Sequence, residues 1–435
     1  MSRFRIILTL LCCTSIVTLQ AQTNGTNSSY SRFGMGLLSD PAQSYNRDMG
    51  GVALGLRSGK HVNTKNPASY AAIDSLTFLL DVGASLQRTQ FSLNGNKQST
   101  DNTMIDQIAT GFRLLPHVGM SVGFMPFSSI GYSFSQQSSI VQGIYNQQTA
   151  TQTISYDGDG GLHEAYIGMG WQPHNQFSVG FNIGYLWGNI NHSTVQSFSE
   201  SGSSSYNYSN LTTYYTASLN SWKADFGVQY QNILNPQNRL TVGATVSIGH
   251  KLSGDATILR STQSGDTIKG VADNSFQIPM TYSIGAAWEH ADKLTVAADI
   301  TYSGWADCTM PQLTNTGTYE ARKGAYLNRW QFNAGTEYTP ERYSRSYLQR
   351  VSYRAGLYYS TPYLKVNGQD GPREYGISAG LGLPIQNRWN NRSTLNIGIQ
   401  WARRTASSSL IKENIFLINI GLSFNEMWFR KWKIQ

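Results

Sequence analysis

The chain has 435 residues and a formal net charge of +8, but charged residues make up only 13% of it, so the positive excess is thinly spread. This composition does not favour a nucleic-acid-binding protein, which needs a concentrated basic face. Mean hydropathy is −0.33, and after the first residues no run of about eighteen apolar residues occurs, which argues against membrane-spanning helices.

The first segment, residues 1–21, has the pattern of a secretory signal peptide. Two arginines precede an apolar run, and Ala21 completes a small-residue cleavage site. Two of the three cysteines lie in this segment. Cys308 alone would remain in the mature chain, so no internal disulfide is expected.

Residues 22–76 are rich in glycine and do not alternate like a strand. They nevertheless carry apolar residues that favour burial over water: Phe33, Met35, Leu37, Leu38, Val52, Leu54 and Leu56. We therefore expect this segment to fill the interior of the structure that follows it, as an N-terminal hatch or plug.

The tripeptide Asn66, Pro67 and Ala68 lies just ahead of the first predicted strand. Proline disfavours a helical conformation of the residue before it, so Asn66 is expected to be extended. The motif fits two interpretations equally: a turn that holds the junction between hatch and barrel, or a simple turn leading into the strand.

About fourteen strand-like stretches follow between Thr77 and Phe424, and their connections alternate strictly between short turns and long polar loops. The short turns contain residues 115–117, 172–175, 235–238, 289–292, 339–341 and 384–387, most of them with Pro or Asn. Short connections on one rim and long ones on the other are typical of a transmembrane antiparallel β-barrel, which we place at residues 77–425.

The last predicted strand shows the alternation most clearly. Phe416, Ile418, Ile420, Leu422 and Phe424 share one face, and Asn419, Gly421 and Ser423 fall on the other. One face suits lipid and the other a lumen. A soluble β-sandwich also hides one face of each strand, but it would not require the asymmetry in connection length.

Residues 426–435 form a basic and aromatic tail after the last strand, which includes Trp428, Arg430 and Lys433. Such residues anchor a chain at the membrane interface, and we expect the tail to lie in the periplasm.

Catalytic and metal sites are not expected. Ser121 and Ser378 both stand in a G-x-S-x-G pattern, but that motif needs a strand, a sharp turn and a helix, and both copies lie inside alternating stretches. Asp157 and Asp159 have calcium-like spacing without the remaining ligands, and we assign them to a loop turn. The histidines have no zinc-binding spacing, and no cofactor is expected.

The chain resembles the FadL family of outer-membrane transporters for long-chain fatty acids and other hydrophobic compounds. The resemblance is carried by the Gly-x-Gly at residues 34–36, the Gly-rich run 49–55, the Asn66-Pro67-Ala68 motif and the start of the first strand. It implies a hatch inside a fourteen-stranded barrel whose kinked third strand opens the wall sideways. In this chain Pro126 would interrupt the third strand, either at a lateral opening or at a harmless bulge.

Two functions remain open at this point. The first is passive uptake of fatty-acid-like hydrophobic molecules across the outer membrane of a Gram-negative bacterium, with lateral exit into outer-membrane lipid. The second is a non-transporting barrel that acts as a structural or assembly partner of other outer-membrane proteins. Neither is enzymatic, and neither involves nucleic acid.

Overall fold

The computed structural model describes residues 25–93, 95–142, 148–200, 210–263, 265, 267–314, 318–385, 393–406 and 410–427. The predicted signal peptide, residues 1–21, lies outside these residues. So do residues 428–435, which make up most of the predicted tail. The first two tail residues, Glu426 and Met427, belong to the last strand.

The described residues form an antiparallel barrel of fourteen strands. They are β1 Thr77–Leu93, β2 Asn96–Leu115, β3 Val118–Gln142, β4 Gln148–His174, β5 Phe177–Glu200, β6 Leu211–Asn235, β7 Asn238–Ser247 continued by Asp255–Thr262, β8 Thr267–Asp273 continued by Thr281–His290, β9 Leu294–Ser303, β10 Arg329–Tyr338, β11 Ser352–Ser360, β12 Arg373–Pro384, β13 Thr394–Thr405 and β14 Lys412–Met427. Neighbours in sequence pair with each other, and β1 pairs with β14 to close the ring. The predicted fourteen-stranded antiparallel barrel is confirmed.

The helices are short. The α-helices are α1 Ser44–Arg47 and α2 Tyr347–Arg350, and the 3-10 helices are Ser29–Arg32, Pro67–Ala72 and Trp305–Asp307. Outside the barrel ladder, two-stranded pairs join His250–Lys251 to Gln277–Ile278, Met310–Leu313 to Tyr319–Arg322 and Lys365–Val366 to Gln369–Asp370. None of the helices in the described ranges is long and apolar enough to cross a membrane.

The alternation predicted for the last strand is present in β14. The side chains of Phe416, Ile418 and Ile420 are about half exposed on the outside of the barrel, while Asn419 and Ser423 are buried on the inside. An outer apolar face and an inner polar face are the pattern expected of a barrel wall in hydrocarbon.

Several predicted turns on the short-connection rim lie where the sequence placed them: β2 ends at Leu115 and β3 begins at Val118. The turn predicted at residues 339–341 is wrong in length. After β10 ends at Tyr338, the next strand begins only at Ser352, and α2 lies between them. Pro340 correctly marks the end of β10. The connection from β10 to β11 is longer than predicted, and a hydrogen bond from Glu341 N to Gln349 O (2.8 Å) joins its two ends.

Some of the long connections on the opposite rim are largely strand in the described residues, which corrects the prediction of polar loops there. The polar sequence from Gln136 to Leu162 predicts one of these loops, but this stretch is strand except for residues 143–147, which are not described. Asp157 and Asp159 therefore lie in β4 and not in a loop turn. Strands β3 to β6 have 24 to 27 residues, more than twice the roughly 9–11 needed to cross a bilayer. At the far end of β3, residues 135–139 are exposed on both faces, so the hydrophobic alternation disappears there although the backbone remains paired.

The N-terminal segment, residues 25–75, lies within the ring of strands. The 3-10 helix Pro67–Ala72 contacts β2 to β6, and α1 contacts β1 and β12 to β14 on the far side. Glycines in the wall allow the two backbones to approach closely. A Cβ atom added to Gly119 would lie 1.9 Å from Tyr70 O, and one added to Gly243 would lie 1.9 Å from Leu54 O.

Candidate passage beside the third strand

The barrel wall is incomplete between β2 and β3. These strands pair from Leu115 and Val118 up to Ile108 and Phe124. Above that level, in the part of the chain that the structure describes, β2 pairs with β1 and β3 pairs with β4, but not with each other. Ile108 and Ile105 of β2 are exposed on the outer face at this height. The separation therefore begins within the apolar band of the wall.

Pro126 lies at the lower end of this separation. The register between β3 and β4 shifts between Pro126 and Ser128, so Phe127 bulges out of the ladder. Proline has no N–H to donate to a neighbouring strand, and a bulge bends the strand that carries it. The β3 chain thus turns away from β2 near the residue that the sequence singles out.

A stretch of the N-terminal segment, residues 27–39, fills the separation, and we call it the strap. On the β3 side, Leu37 and Leu38 pair with Ser129 and Ser128. Ser39 N also donates to Phe127 O at 3.0 Å. The strap therefore adds a short antiparallel ladder to the edge of β3 that β2 leaves free.

The strap is held on its other side by single side-chain contacts. Asn27 Nδ2 donates to Asp101 O of β2 at 3.3 Å, and Ser28 Oγ donates to Glu413 Oε1 of β14 at 2.6 Å. These side-chain hydrogen bonds join the strap to β2 and β14 at single points, whereas paired strands are joined by a ladder of backbone hydrogen bonds.

A cavity of about 210 Å³ lies directly behind Pro126 and the strap. Part of its lining is apolar and includes Leu38, Met125, Phe127, Ile278 and Trp305. The other part is charged and comprises Asp40, Lys65, Glu164, Lys223, Asp225, Asp299 and Arg329. The lining therefore combines apolar and charged residues.

The charged side of the cavity is organised by ion pairs. Lys223 Nζ lies 2.6 Å from Asp225 Oδ2 and 3.2 Å from Glu164 Oε2. Lys65 Nζ lies 2.5 Å from Asp40 Oδ1. Burial disfavours the ionised form of Asp40, but the Lys65 ammonium outweighs this and holds the pKa of that carboxyl below its usual value.

An apolar region lies on the long-strand side of the strap. Its buried residues include Tyr30, Met35, Ile130, Tyr132, Leu162, Leu186, Ile190, Phe276, Trp305 and Tyr326. It contains a second cavity of about 320 Å³, which Phe33, Ile190, Tyr215 and Tyr319 help to line. The Arg32 guanidinium lies 3.8 Å from the centre of the Tyr156 ring beside it.

The motif Asn66, Pro67 and Ala68 is buried between the N-terminal segment and the wall. Asn66 Oδ1 accepts from Ala68 N at 3.2 Å, which caps the 3-10 helix, and its Nδ2 donates to Val228 O of β6 at 3.2 Å. The backbone of Asn66 is extended. The motif thus joins the interior segment to β6, far from Pro126 in sequence and on a different part of the wall.

Further side-chain bonds fix the lower part of the N-terminal segment. Asp299 Oδ2 accepts from Ala53 N and Leu54 N at 2.6 and 3.1 Å, and Asp81 Oδ2 accepts from Val62 N at 2.9 Å. A carboxylate accepting backbone N–H groups in a buried site makes strong, charge-assisted bonds.

The two candidate nucleophile motifs are structural. Ser121 lies inside β3 and its hydroxyl is 2.9 Å from the Tyr166 hydroxyl, and Ser378 lies inside β12 and donates to Asp48 O at 3.0 Å. Neither serine stands on a strand-to-helix turn. Among the described residues no group of three or more His, Cys, Asp or Glu is placed to hold a metal ion.

The sequence did not indicate the strap or the charged side of the cavity. The strap residues Leu37 and Leu38 were singled out only as apolar residues that favour burial. Asp225 and Asp299 each occupy an inward position in a regular alternation, where any small or polar residue is acceptable. Their convergence depends on strands that are distant in sequence, so no local signal could have identified them.

The solved structures that this chain resembles agree on its fold. The family model described as BamG matches residues 2–435. The toluene transporter TbuX of Ralstonia pickettii has 14% identity and a TM-score of 0.58, covering 92% of this chain and 99% of its own. The Pseudomonas putida toluene transporter TodX has 15% identity and a TM-score of 0.57, with coverages of 92% and 99%.

A FadL homologue from Pseudomonas aeruginosa has 12% identity and a TM-score of 0.55, covering 89% of this chain and 99% of its own. No curated protein sequence matches the chain. At these identities the likeness establishes a FadL-type barrel fold.

Proposed function

This chain belongs to the BamG family, and we propose that it is an outer-membrane passage for hydrophobic small molecules. The cargo has a fatty-acid-like build, with an apolar body and a small polar head, and it leaves sideways into outer-membrane lipid. A closed barrel with an apolar outer face is a structure suited to the outer membrane of a Gram-negative bacterium. The separation of β2 from β3 next to an internal cavity is the observation that carries the proposal.

The lower part of the N-terminal segment, residues 40–75, acts as a fixed hatch in this proposal. Its backbone lies against wall glycines, and buried carboxylates of β1 and β9 accept its N–H groups. Passage straight through to the periplasm would require these bonds to break together. A sideways route needs only the strap to move.

The route has three stages. An apolar molecule partitions from water into the region around the 320 Å³ cavity, moves past the strap into the 210 Å³ cavity, and leaves between β2 and β3 beside Pro126. Transfer of apolar surface out of water supplies the driving force, at about 25 cal/mol per Å². No energy-coupling element is needed for a downhill route.

Uptake by whole cells tests this function. Cells with and without the gene are given a labelled fatty-acid-like compound and, separately, a small hydrophilic solute as the control. Faster accumulation of the apolar compound alone, dependent on the gene, supports the proposal. Equal accumulation with and without the gene contradicts it.

A structural or assembly role for other outer-membrane proteins is the second candidate. Two features favour it: the firmly seated hatch and the long strands β3 to β6, which extend above the membrane as a polar sheet. Purification in a gentle detergent distinguishes the two functions. A stable, stoichiometric protein partner, together with unchanged uptake in cells lacking the gene, would favour the assembly role.

A further inference from the structure

The connection between β10 and β11, residues 339–351, is a compact unit on the short-connection rim. Glu341 N donates to Gln349 O at 2.8 Å, and Ser346 N donates to Ser344 Oγ at 3.1 Å. These bonds fold the connection back on itself. Its single helical turn, α2, therefore has a defined place beside the ends of the neighbouring strands.

Two tyrosine hydroxyls attach α2 to the outer side of the wall. Tyr353 Oη donates to Leu348 O at 3.2 Å. Tyr347 Oη donates to Pro384 O, at the end of β12, at 3.3 Å. Tyr353 is 40% exposed, whereas the next residue, Arg354, is buried inside the barrel. Because neighbouring residues of a strand face opposite sides, Tyr353 faces outward, and it holds α2 outside β11.

This connection carries large side chains that are left uncovered. Leu348 is 68% exposed, and Tyr343, just before α2, is 94% exposed. The outward row of β11 continues the same surface, since Leu357 is 57% exposed. Leucine and tyrosine at the rim of an apolar outer face are suited to the boundary between hydrocarbon and lipid head groups.

The same connection is basic. It contains three arginines, Arg342, Arg345 and Arg350, and one acid, Glu341. Arg342 lines a cavity at the mouth of the barrel, while Arg345 and Arg350 flank the residues of α2 that are exposed. Arg345 is exposed and forms no ion pair among the described residues. The Arg350 guanidinium lies 5.6 Å from the centre of the Tyr347 ring.

We propose that residues 339–351 bind anionic phospholipids of the leaflet next to the short-connection rim, with Leu348 at the hydrocarbon boundary and Arg345 and Arg350 at the head groups. Basic residues beside a membrane attract anionic lipid through a field that extends over about one Debye length, so a shaped pocket is not required. The outward position of α2 favours lipid over an acidic protein as the occupant. The proposal goes beyond the passage and does not depend on transport.

Lipid binding to the purified protein in detergent tests the head-group preference. The probes are phosphatidylglycerol and phosphatidylcholine with the same acyl chains, and bound lipid is measured by native mass spectrometry. We expect the wild type to bind phosphatidylglycerol more tightly. Arg345→Gln combined with Arg350→Gln should weaken phosphatidylglycerol binding about tenfold or more, since each arginine near an anionic surface contributes about fivefold, and should leave phosphatidylcholine binding unchanged.

The control removes the same charge from the opposite rim. Lys97→Gln combined with Lys269→Gln changes two exposed residues near the long-connection end of the barrel and should leave both lipid affinities unchanged. Heat-dependent gel mobility confirms that each variant is folded before its affinity is interpreted.

A nitroxide label measures where α2 lies. Leu348→Cys provides the attachment site, because Cys308 is buried. In vesicles that contain phosphatidylglycerol, the label at residue 348 should be relaxed by oxygen, which concentrates in hydrocarbon, and protected from a water-soluble nickel chelate. A label on Lys97→Cys, near the opposite rim, should show the reverse.

Two results would overturn the inference. Equal wild-type affinity for the two lipids, or an equal loss in the control variant, removes the preference for anionic head groups. A label at residue 348 that the nickel chelate reaches as readily as the label at residue 97 places α2 in water, where a protein would be the better occupant. Neither result bears on the passage, which whole-cell uptake tests separately.

Discussion

Arg47 of α1 forms an ion pair with Asp106 of β2, with 2.5 Å between Nη1 and Oδ1, inside the barrel. Asp106 is the residue that bulges out of the ladder between β1 and β2, just above the point where β2 separates from β3. Both side chains are mostly buried. The pair therefore attaches the interior segment to the wall at the lower edge of the proposed opening.

We predict that Arg47→Ala destabilises the protein by about 3–5 kcal/mol, because it leaves the Asp106 carboxylate buried without its partner. The measurement is the temperature at which the folded barrel loses its fast gel mobility. Arg88→Ala is the control, since Arg88 and Asp101 form an exposed pair 3.8 Å apart. That substitution should change stability by at most about 1 kcal/mol, and an equal loss in both variants would contradict the importance assigned to the buried pair.

We predict that a disulfide between strap and wall abolishes uptake. Leu38 and Ser128 are register partners, so Leu38→Cys combined with Ser128→Cys places two thiols on facing positions. Oxidation should reduce uptake of the labelled apolar compound to the level of cells lacking the gene, and a reductant should restore it.

The control for this experiment is a disulfide within a continuous part of the wall. Ala287 and Ala297 are register partners in β8 and β9, which pair along their full length in this region. Ala287→Cys with Ala297→Cys should leave uptake unchanged under both conditions. Normal uptake with the strap disulfide fully formed would rule out movement of the strap as the gating step.

We predict that Gly243→Ala loosens the hatch. The added Cβ would lie 1.9 Å from Leu54 O, a backbone atom that cannot move aside, and overpacking of this kind costs about 1–3 kcal/mol. Limited proteolysis of the N-terminal segment should be faster in the variant. Gly304→Ala is the matched substitution, because its nearest neighbouring atom would be 3.7 Å away, and it should digest at the normal rate.

We predict that the hatch becomes less stable as the pH rises from about 4 to about 7. Burial raises the pKa of Asp48 to about 7, and the nearby Arg354 and Arg47 guanidiniums offset only part of the effect. In the unfolded segment this carboxyl has its ordinary pKa of 3.8, so in this window the folded form holds the extra proton. Stability is full below the unfolded value and is lost as the pH passes through the folded one.

Asp48→Asn should remove this pH dependence and stabilise the hatch at pH 8 by roughly 2–4 kcal/mol. The measurement is amide hydrogen exchange of residues 44–52 at pH 5 and pH 8, corrected for the intrinsic rate. Asp255→Asn serves as the control, and its exchange should keep the wild-type pH dependence. An identical slope in Asp48→Asn would show that another group is responsible.

The sequence indicated the parts of the fold that depend on local rules. The alternation from Phe416 to Phe424 defined a two-faced strand, because the side-chain period of a strand is two residues wherever one face meets lipid. Pro116 and Asn235 marked tight turns through their own backbone preferences. Strand number and closure followed from these repeats.

The same rules failed where the environment no longer distinguishes the two faces. The Ser- and Gln-rich stretch from Gln136 to Gln142 has no hydrophobic period. Its sequence therefore predicts a loop, although it forms the end of the long strand β3. The connection after Tyr338 was predicted as too short because a proline marks where a strand ends but carries no information about where the next one begins.

The amino-acid order by itself determined a fourteen-stranded barrel with an apolar outer face and a glycine-rich segment that requires burial, since each of these depends on neighbours close in sequence. Only the tertiary structure decided that Leu37 and Leu38 pair with the free edge of β3, and that Asp225 and Asp299 help to line the same cavity. Those contacts join residues far apart in the chain, and they depend on barrel closure, strand register and the placement of the N-terminal segment against the wall. A local sequence pattern does not specify how the barrel closes, which register the strands adopt, or where the N-terminal segment lies against the wall.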